Sequence, residues 1–327
     1  MTLALGIALF LVPAGAIGAS LLSRWMRSAA LGQHIRPEGP VLHERKAGTP
    51  TMGGIVVLFL WGLSALLLAV TGNLPREGLF VLVCGFACGA IGLADDLLSL
   101  GRKRSLGLSP LSKVGIGSVV AIVLAVGFLD VVRQPLLFPF SSLALTPSPL
   151  AAIALAWAAL LVTMNAVNLT DGLDGLASGV ALLSLGGLLS LSPASATGVL
   201  PLMGALAGFL WVNAHPARLF VGNVGAYALG GAIAAAAIGG GRTLFLPLVA
   251  GVPALETLSV VLQVASFRLC RRRIFKISPL HHHFEHAEGV DYPFLLPAWE
   301  VAEPKLTVRL WIVQGILVGF ALLAARL

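Results

Sequence analysis

Residues 165–175 place carboxylates and carboxamides at the end of an apolar stretch. Ionisable groups at membrane depth are costly and usually functional. The spacing of Asp171 and Asp174 predicts that both carboxylates share one helical face, with Asn168 close by. Alternatively, Thr170 or Asp171 is only an N-cap for the next helix. Because a cap would explain one polar residue and not four, the pattern favours a site that binds a ligand.

A second acidic pair, Asp95 and Asp96, ends another apolar stretch and precedes the basic run 102–104. Adjacent helical residues point about 100° apart, so we expect the two carboxylates to have different partners. An acidic helix end that pairs with nearby arginines is the alternative reading. Carboxylates that converge from separate helices favour a divalent cation and a phosphorylated substrate.

The loop 213–225 combines glycines, amides and an arginine. Backbone N–H groups beside glycines suit phosphate oxygens, and Phe220 could stack on a base. An ordinary turn between helices, with Asn223 as a helix cap, explains the same residues equally well.

The loop 44–54 places a basic pair before a glycine-containing turn. Lys46 and Thr51 could reach a phosphate or a nucleoside from this position. The same pair could serve only as a positively charged membrane anchor.

Three consecutive histidines, His281, His282 and His283, form the most unusual polar cluster. Consecutive side chains on a helix cannot all point the same way. A tight three-histidine metal site is therefore less favoured than imidazoles that hydrogen-bond substrate phosphates or sugars. A histidine-rich surface loop is the alternative.

Composition indicates the elements that must position these residues. Hydrophobic residues make up 57% of the chain and charged residues 11%, with a mean hydropathy of +0.95, which predicts an all-α polytopic membrane protein. We treat residues 1–327 as a single domain. The loop 131–150 permits a short hairpin, and the alanine-rich segment 232–240 favours close helix packing. Ten stretches are long enough to span a membrane: 3–23, 53–71, 78–98, 114–130, 149–167, 175–192, 198–213, 225–240, 244–266 and 307–325.

The distribution of basic residues predicts the orientation in the membrane. Of 21 Lys and Arg residues, all but Arg76, Arg133, Arg242 and Arg326 fall in loops on one side. By the positive-inside rule, both termini are outside and the basic loops and the site are cytoplasmic. The net charge of +7 then reflects topology and attraction to anionic lipid or phosphate, and not nucleic-acid binding. The first stretch lacks a basic n-region, so we expect a retained span and not a cleaved signal peptide.

Together the motifs resemble the polyprenyl-phosphate N-acetylhexosamine-1-phosphate transferases. The resemblance covers nearly the whole chain, and the triple histidine favours the branch that uses a muramoyl-pentapeptide substrate. The matching segments are 32–36, 46–54, 95–96, 165–175, 213–216, 229–231, 256–263 and 279–285.

The resemblance implies a ten-helix bacterial inner-membrane enzyme with a cytoplasmic cleft. Such enzymes transfer phospho-MurNAc-pentapeptide from its UDP carrier to undecaprenyl phosphate, giving lipid I and UMP in peptidoglycan synthesis. The implied cofactor is Mg²⁺, and a homodimer is compatible with the resemblance.

The resemblance also implies roles for individual residues. Asp95 and Asp96 would lie near the lipid phosphate, and Asp171 would serve the reacting phosphates or the metal. The three histidines would meet the diphosphate or sugar, with His282 in the catalytic set and His281 and His283 in the binding set. The residues expected to line the nucleotide pocket are Lys46, Thr51, Asn168, Asp174, Phe220, Gly222 and Gln263.

Two positions depart from the family pattern. Where the family reads Gly-Asp-x-Gly-Ser, this chain has Asn223 in place of the aspartate that ligates the metal. An amide oxygen can still bind Mg²⁺ but adds no formal charge, so Asn223 and Asp171 are the expected ligands. The lysine usually found three residues after the aspartate pair is Ser99, which leaves Lys103 or Lys113 as substitutes.

Two anionic phosphates must react, so a cation and basic side chains have to offset their repulsion. A phosphate monoester is largely dianionic near pH 7, so no strong general base is required. Three hypotheses follow: an active transferase, a catalytically impaired paralogue or variant that binds ligand without turnover, and a transporter. The transporter is disfavoured because Glu256 is the one acid in the middle of an apolar stretch.

Overall fold

A computed structural model describes residues 1–29, 48–102, 107–286, 290 and 292–326. In these ranges the long helices are α1 Thr2–Ser28, α2 Gly54–Val70, α3 Arg76–Arg102, α4 Pro110–Gly127, α6 Pro149–Thr170, α7 Leu176–Leu191, α8 Ala196–Asn213, α9 Gly222–Gly239, α11 Gly251–Cys270 and α13 Glu303–Ala324. Short helices are α5 Leu129–Val132, α10 Leu246–Val249 and α12 Leu280–Phe284, with 3₁₀ turns at Pro193–Ser195 and Thr243–Phe245.

The long helices correspond one to one to the ten predicted spans. In the described ranges, eight are long and apolar enough to cross a membrane, and α2 and α7 are shorter apolar helices. The predicted all-α polytopic membrane fold is thereby confirmed. The short hairpin is also present, since β1 Leu136–Leu137 pairs antiparallel with β2 Ala144–Leu145.

The ninth predicted span, 244–266, is wrong in its first turns, because the helix is interrupted at Ala250 before α11 begins. Pro253 lacks an N–H and its ring would clash with the carbonyl four residues earlier, so a continuous helix is unfavourable here. Gln314 of α13 fills the break: it accepts from Val252 N at 2.9 Å and donates to the Val249 carbonyl at 2.7 Å.

Helix α9 is the centre of the fold, and nearly all of its residues are buried. Its small residues allow α3 and α6 to approach closely, as the alanine-rich sequence predicts. A Cβ added at Gly92 of α3 would lie 2.1 Å from the Asn223 carbonyl oxygen. This close approach brings the C-terminal half of α3 against the first turn of α9.

Candidate active site

Asp95 and Asp96 lie buried in the last turns of α3, with 2% and 5% of their surface exposed. Lys113 of α4 donates to Asp95 Oδ2 at 2.6 Å, and Leu108 N donates to Oδ1 at 2.6 Å. A short loop and the start of α4 therefore place one ammonium group on one member of the carboxylate pair.

Asn223 joins the two carboxylates. Its Nδ2 donates to Asp95 Oδ2 at 2.8 Å and to Asp96 Oδ1 at 2.9 Å. Asp96 also accepts the backbone N–H groups of Asn223 and Val224 at 3.2 and 3.0 Å. Because Asn223 lies inside the first turn of α9, the alternative that it is a helix cap is wrong. The carboxylates have separate partners in Lys113 and the α9 backbone, as predicted, but they share this amide.

Gly222 brings the loop before α2 against the same cluster. Its φ of +72° lies in the left-handed region that favours glycine. An added Cβ would lie 2.7 Å from Met52 N, 2.9 Å from Thr51 Oγ1 and 3.0 Å from Asp96 Oδ2. The backbone at position 222 therefore approaches Thr51 and Asp96 as closely as atoms allow.

The segment between α6 and α7 is a turn, so the prediction that Asp171 and Asp174 share a helical face is wrong. Helix α6 ends at Thr170 and α7 starts at Leu176, with Gly175 as its N-cap at a φ of +74°. The alternative, an N-cap at Thr170 or Asp171, is also wrong, because Gly175 is the N-cap of α7. Glycine destabilises a helix interior by about 1 kcal/mol, and two glycines in four residues favour this break. Asn168 lies in the last turn of α6, where its carbonyl accepts Asp171 N at 3.3 Å.

Asp174 faces a cavity of about 660 Å³, within the size range of small-ligand sites. Its Oδ2 accepts from His215 Nδ1 and from Ala217 N, each at 3.0 Å, and its N–H donates to Glu303 Oε1 at 2.8 Å. Polar groups and the aromatic side chain of Phe220 thus line the same cavity. The lining residues are Thr49, Asp174, His215, Pro216, Ala217, Phe220, Glu285, His286, Glu300, Val301, Ala302, Glu303 and Pro304.

Asp174, His215 and Glu303 also form a group that could hold a metal ion, because one potential ligand atom of each lies within 4.8 Å of the others. Sequence reasoning gave neither His215 nor Glu303 a role. His215 lies inside the matched segment 213–216, whereas Glu303 carries no recognisable signal beyond preceding a helical proline.

The three histidines have three different environments, as expected for consecutive helical residues. His281 is buried beside Glu256, and His282 pairs through Nδ1 with the Glu285 carboxylate. His283 Nδ1 accepts Lys276 N at 3.0 Å, and its Nε2 donates to the Pro297 carbonyl at 3.3 Å. Burial lowers the pKa of His283 below its ordinary value, which favours the neutral ring that this bonding pattern requires.

Gln263 shapes the chain that leaves α11. Its Oε1 accepts from Ile274 N at 2.9 Å and Phe275 N at 3.0 Å, while Nε2 donates to the Phe275 carbonyl at 3.0 Å. The side-chain amide of Gln263 is thus hydrogen-bonded to the backbone.

At the rim of the cavity, the hydrogen bond from His286 lowers the pKa of the exposed Glu300 carboxyl.

The structure places many of the predicted residues in two sites. The carboxylate cluster contains Asp95, Asp96, Lys113, Asn223, Gly222 and Thr51, and the cavity is lined by Asp174 and Phe220. Among the described residues, Asn168, Asp171, Gln263 and the three histidines are not in that lining. Lys46 and Lys103 lie outside the described residues.

Two paired loop segments, at residues 49–53 and 220–223, link the carboxylate cluster to the cavity. Phe220 N donates to the Pro50 carbonyl, and Gly53 N donates back to the Phe220 carbonyl, at 2.9 and 2.8 Å. Phe220 lines the cavity, and three residues later Asn223 contacts the aspartates. The same two paired segments therefore contribute residues both to the cavity and to the carboxylate cluster.

Comparison with known proteins matches this architecture. Residues 79–241 fit the model of glycosyl transferase family 4, and residues 46–58 fit signature 1 of phospho-N-acetylmuramoyl-pentapeptide-transferase. Proteins named phospho-N-acetylmuramoyl-pentapeptide-transferase from Koribacter versatilis and Shouchella clausii are each 38% identical to this chain. The alignments cover 95% and 94% of this chain and 89% and 94% of those relatives. The chain therefore belongs to the phospho-N-acetylmuramoyl-pentapeptide-transferase family of membrane enzymes.

Proposed function

We propose that this single-domain protein transfers phospho-MurNAc-pentapeptide from UDP-MurNAc-pentapeptide to undecaprenyl phosphate, giving lipid I and UMP. The observation that carries the proposal is the carboxylate cluster, with its ammonium and amide donors, linked through paired loop segments to a cavity that is lined by the aromatic side chain of Phe220. A nucleotide and a phosphate-bearing lipid need such neighbouring polar and aromatic surfaces.

The proposed orientation follows the distribution of charge. The cluster and the cavity belong to the loops that carry most of the Lys and Arg residues, so we place them in the cytoplasm and both termini in the periplasm of a bacterial inner membrane. The nucleotide sugar would then reach the cavity from water, while the lipid phosphate would reach it from the membrane surface.

In the proposed complex, Phe220 stacks on the uracil and the Asp174 turn contacts the nucleoside. Stacking on an aromatic side chain is worth about 1–3 kcal/mol per base. His282, which is paired with Glu285 at the edge of this cavity, is the histidine best placed to approach the diphosphate. His281 and His283 are more deeply buried and act indirectly.

Transfer requires a phosphate monoester to approach a diphosphate against electrostatic repulsion. Lys113 holds a positive charge at Asp95, and the N–H donors around Asp96 fix the second carboxylate. Because the attacking phosphate is already largely ionised near pH 7, we assign the aspartates to positioning and charge and not to proton removal.

The oxygen-rich donor set suits Mg²⁺, which prefers hard oxygen ligands. Asp95 and Asp96 would hold the ion, together with Asn223 once its amide is rotated to present Oδ1. Asp171 remains the further ligand that the family resemblance implies. The bound ion would offset phosphate charge. Asp174, His215 and Glu303 offer a second possible location.

A catalytically impaired binder is the second candidate, and one contact favours it. Asn223 turns its N–H donors, and not an acceptor, towards both aspartates. These N–H donors thus partly compensate the negative charge of the two carboxylates, which a bound cation would otherwise compensate. Such a protein would bind nucleotide or lipid phosphate without turnover.

A radiolabelled assay with UDP-MurNAc-pentapeptide and undecaprenyl phosphate tests the proposal. We expect Mg²⁺-dependent release of UMP and formation of labelled lipid by the purified protein. An inactive protein at saturating Mg²⁺, together with an active Asn223→Asp variant, would refute turnover and favour the impaired binder. A Phe220→Ala variant should mainly raise the KM for the nucleotide sugar, since the lost contact is to the base.

A further inference from the structure

Glu256 of α11 is a fully buried carboxylate, 0% exposed, that the proposed reaction does not use. Its Oε2 accepts the backbone N–H of His281 at 3.2 Å. Its Oε1 has no hydrogen-bond partner within the part of the chain that the structure describes. A buried polar atom without a hydrogen-bond partner is costly, so this carboxylate requires a neighbouring donor.

The imidazole of His281 is the group placed to donate to it. It is 1% exposed, and its Nδ1 lies 3.2 Å from Glu256 Oε2. Neither ring nitrogen makes a hydrogen bond to any described residue. A small ring rotation aligns an Nδ1–H with the carboxylate. Nε2 then lies on the side of the ring that faces away from Glu256.

The opposite edge of the imidazole contacts the turn between α6 and α7. A Cβ added at Gly172 would lie 2.1 Å from His281 Nε2 and 2.8 Å from Cε1. No side chain fits between the ring and this backbone. Asp171 and Asp174 flank Gly172 in the sequence, so the ring abuts the turn that carries both.

We propose that Glu256 and His281 form a buried acid–imidazole pair that supports the Asp171–Asp174 turn from behind. Glu256 is accordingly a positioning residue, which acts on the transfer through His281 and the turn and does not touch substrate. This inference rests on the proposed function for its consequence in catalysis, but the contacts themselves stand apart from it.

The size of the effect depends on how far the turn moves. A misplacement of about 1 Å in a catalytic geometry can lower a rate on the order of a hundredfold. Glu256→Gln keeps the shape and an acceptor for the His281 N–H but replaces one carboxylate oxygen with an amide NH2 group. Ser259→Ala is the matched control, because Ser259 lies one turn further along α11, is buried, and donates to the Glu256 carbonyl alone among described groups.

Hydrogen–deuterium exchange followed by mass spectrometry tests the support of the turn without requiring activity. We expect Glu256→Gln to increase exchange at residues 170–176 by about tenfold, corresponding to about 1.4 kcal/mol of lost protection. Ser259→Ala should leave this segment unchanged. His281→Gln should give a similar increase, and the double variant with Glu256→Gln should add little to it.

Steady-state kinetics tests the link to catalysis. Glu256→Gln should lower kcat on the order of tenfold while the KM values for both substrates and the stoichiometry of UMP binding stay near those of the wild type. If part of the variant protein were unfolded, the stoichiometry of UMP binding would instead fall.

The outcomes separate the two proposals. Unchanged exchange at 170–176 in Glu256→Gln, or fully additive effects of the two substitutions, would overturn the support role. Increased exchange with unchanged kcat would overturn the positioning role. Absence of turnover by the wild type would refute the proposed function, while the exchange measurement would still decide whether the pair supports the turn.

Discussion

Replacing Asn223 by aspartate tests how the carboxylate cluster balances its charge. In the wild type, one amide nitrogen donates at 2.8 Å to Asp95 and at 2.9 Å to Asp96. Asn223→Asp is nearly isosteric, but it puts a third carboxylate where two N–H donors were. The cluster would then hold three acids and one lysine, Lys113.

The magnitude follows from these distances. Hydrogen bonds to charged groups contribute about 1.5–3 kcal/mol each, and two are lost. Two unit charges 2.8 Å apart repel by about 6 kcal/mol at an effective dielectric near 20, although side-chain rotation relieves part of this. We therefore expect Asn223→Asp without divalent cations to lose at least about 3 kcal/mol, which lowers Tm by roughly 5 °C or more.

Thermal unfolding in detergent, with chelator and with Mg²⁺, measures the effect. Magnesium at about 100 times its Kd returns about 2.7 kcal/mol by mass action, so Mg²⁺ should restore most of the Tm of the variant and change the wild type less. Asn213→Asp is the control. Asn213 is a buried amide at the end of α8 that accepts from Ser178 and donates to the Leu219 carbonyl, so its variant should be destabilised without rescue by Mg²⁺. If Asn223→Asp has a wild-type Tm in chelator, or does not respond to Mg²⁺, the charge-balance argument is incorrect.

Three further predictions concern the scaffold of the site. Lys113→Met removes the ammonium from a buried pair and should cost about 3 kcal/mol, whereas Lys113→Arg should retain most stability; thermal unfolding distinguishes them. Since burial holds the pKa of His283 below its ordinary value, the unfolded chain binds a proton on acidification before the folded protein does. Stability should therefore fall as pH drops below about 6.5, and His283→Gln should flatten the dependence of Tm on pH between 5 and 7. Gly92→Ala should destabilise by about 1–3 kcal/mol, because its methyl would meet the Asn223 carbonyl at 2.1 Å. Gly101→Ala, in the same helix with nothing within 4 Å, should be neutral or slightly stabilising; equal Tm values for these two variants would contradict the close α3–α9 packing.

The sequence determined the class and the helices, because both depend on local composition. Long apolar stretches predict membrane helices whatever their neighbours are, and all ten appear in the described chain. Local rules also account for the break before α11, since Pro253 is visible in the sequence, although the length of the apolar stretch alone suggested a continuous span. The helical reading of Asp171 and Asp174 was wrong because the two glycines outweigh the three-residue spacing.

Only the tertiary structure decided which polar groups meet. Asn223 and Asp96 are 127 residues apart in the chain, and they touch because glycine lets α3 lie against α9. Glu256, which the sequence left as one isolated acid, acquires a partner in His281 only when α12 folds back onto α11. Contacts of this kind depend on the three-dimensional path of the backbone, which residue types and spacing do not specify.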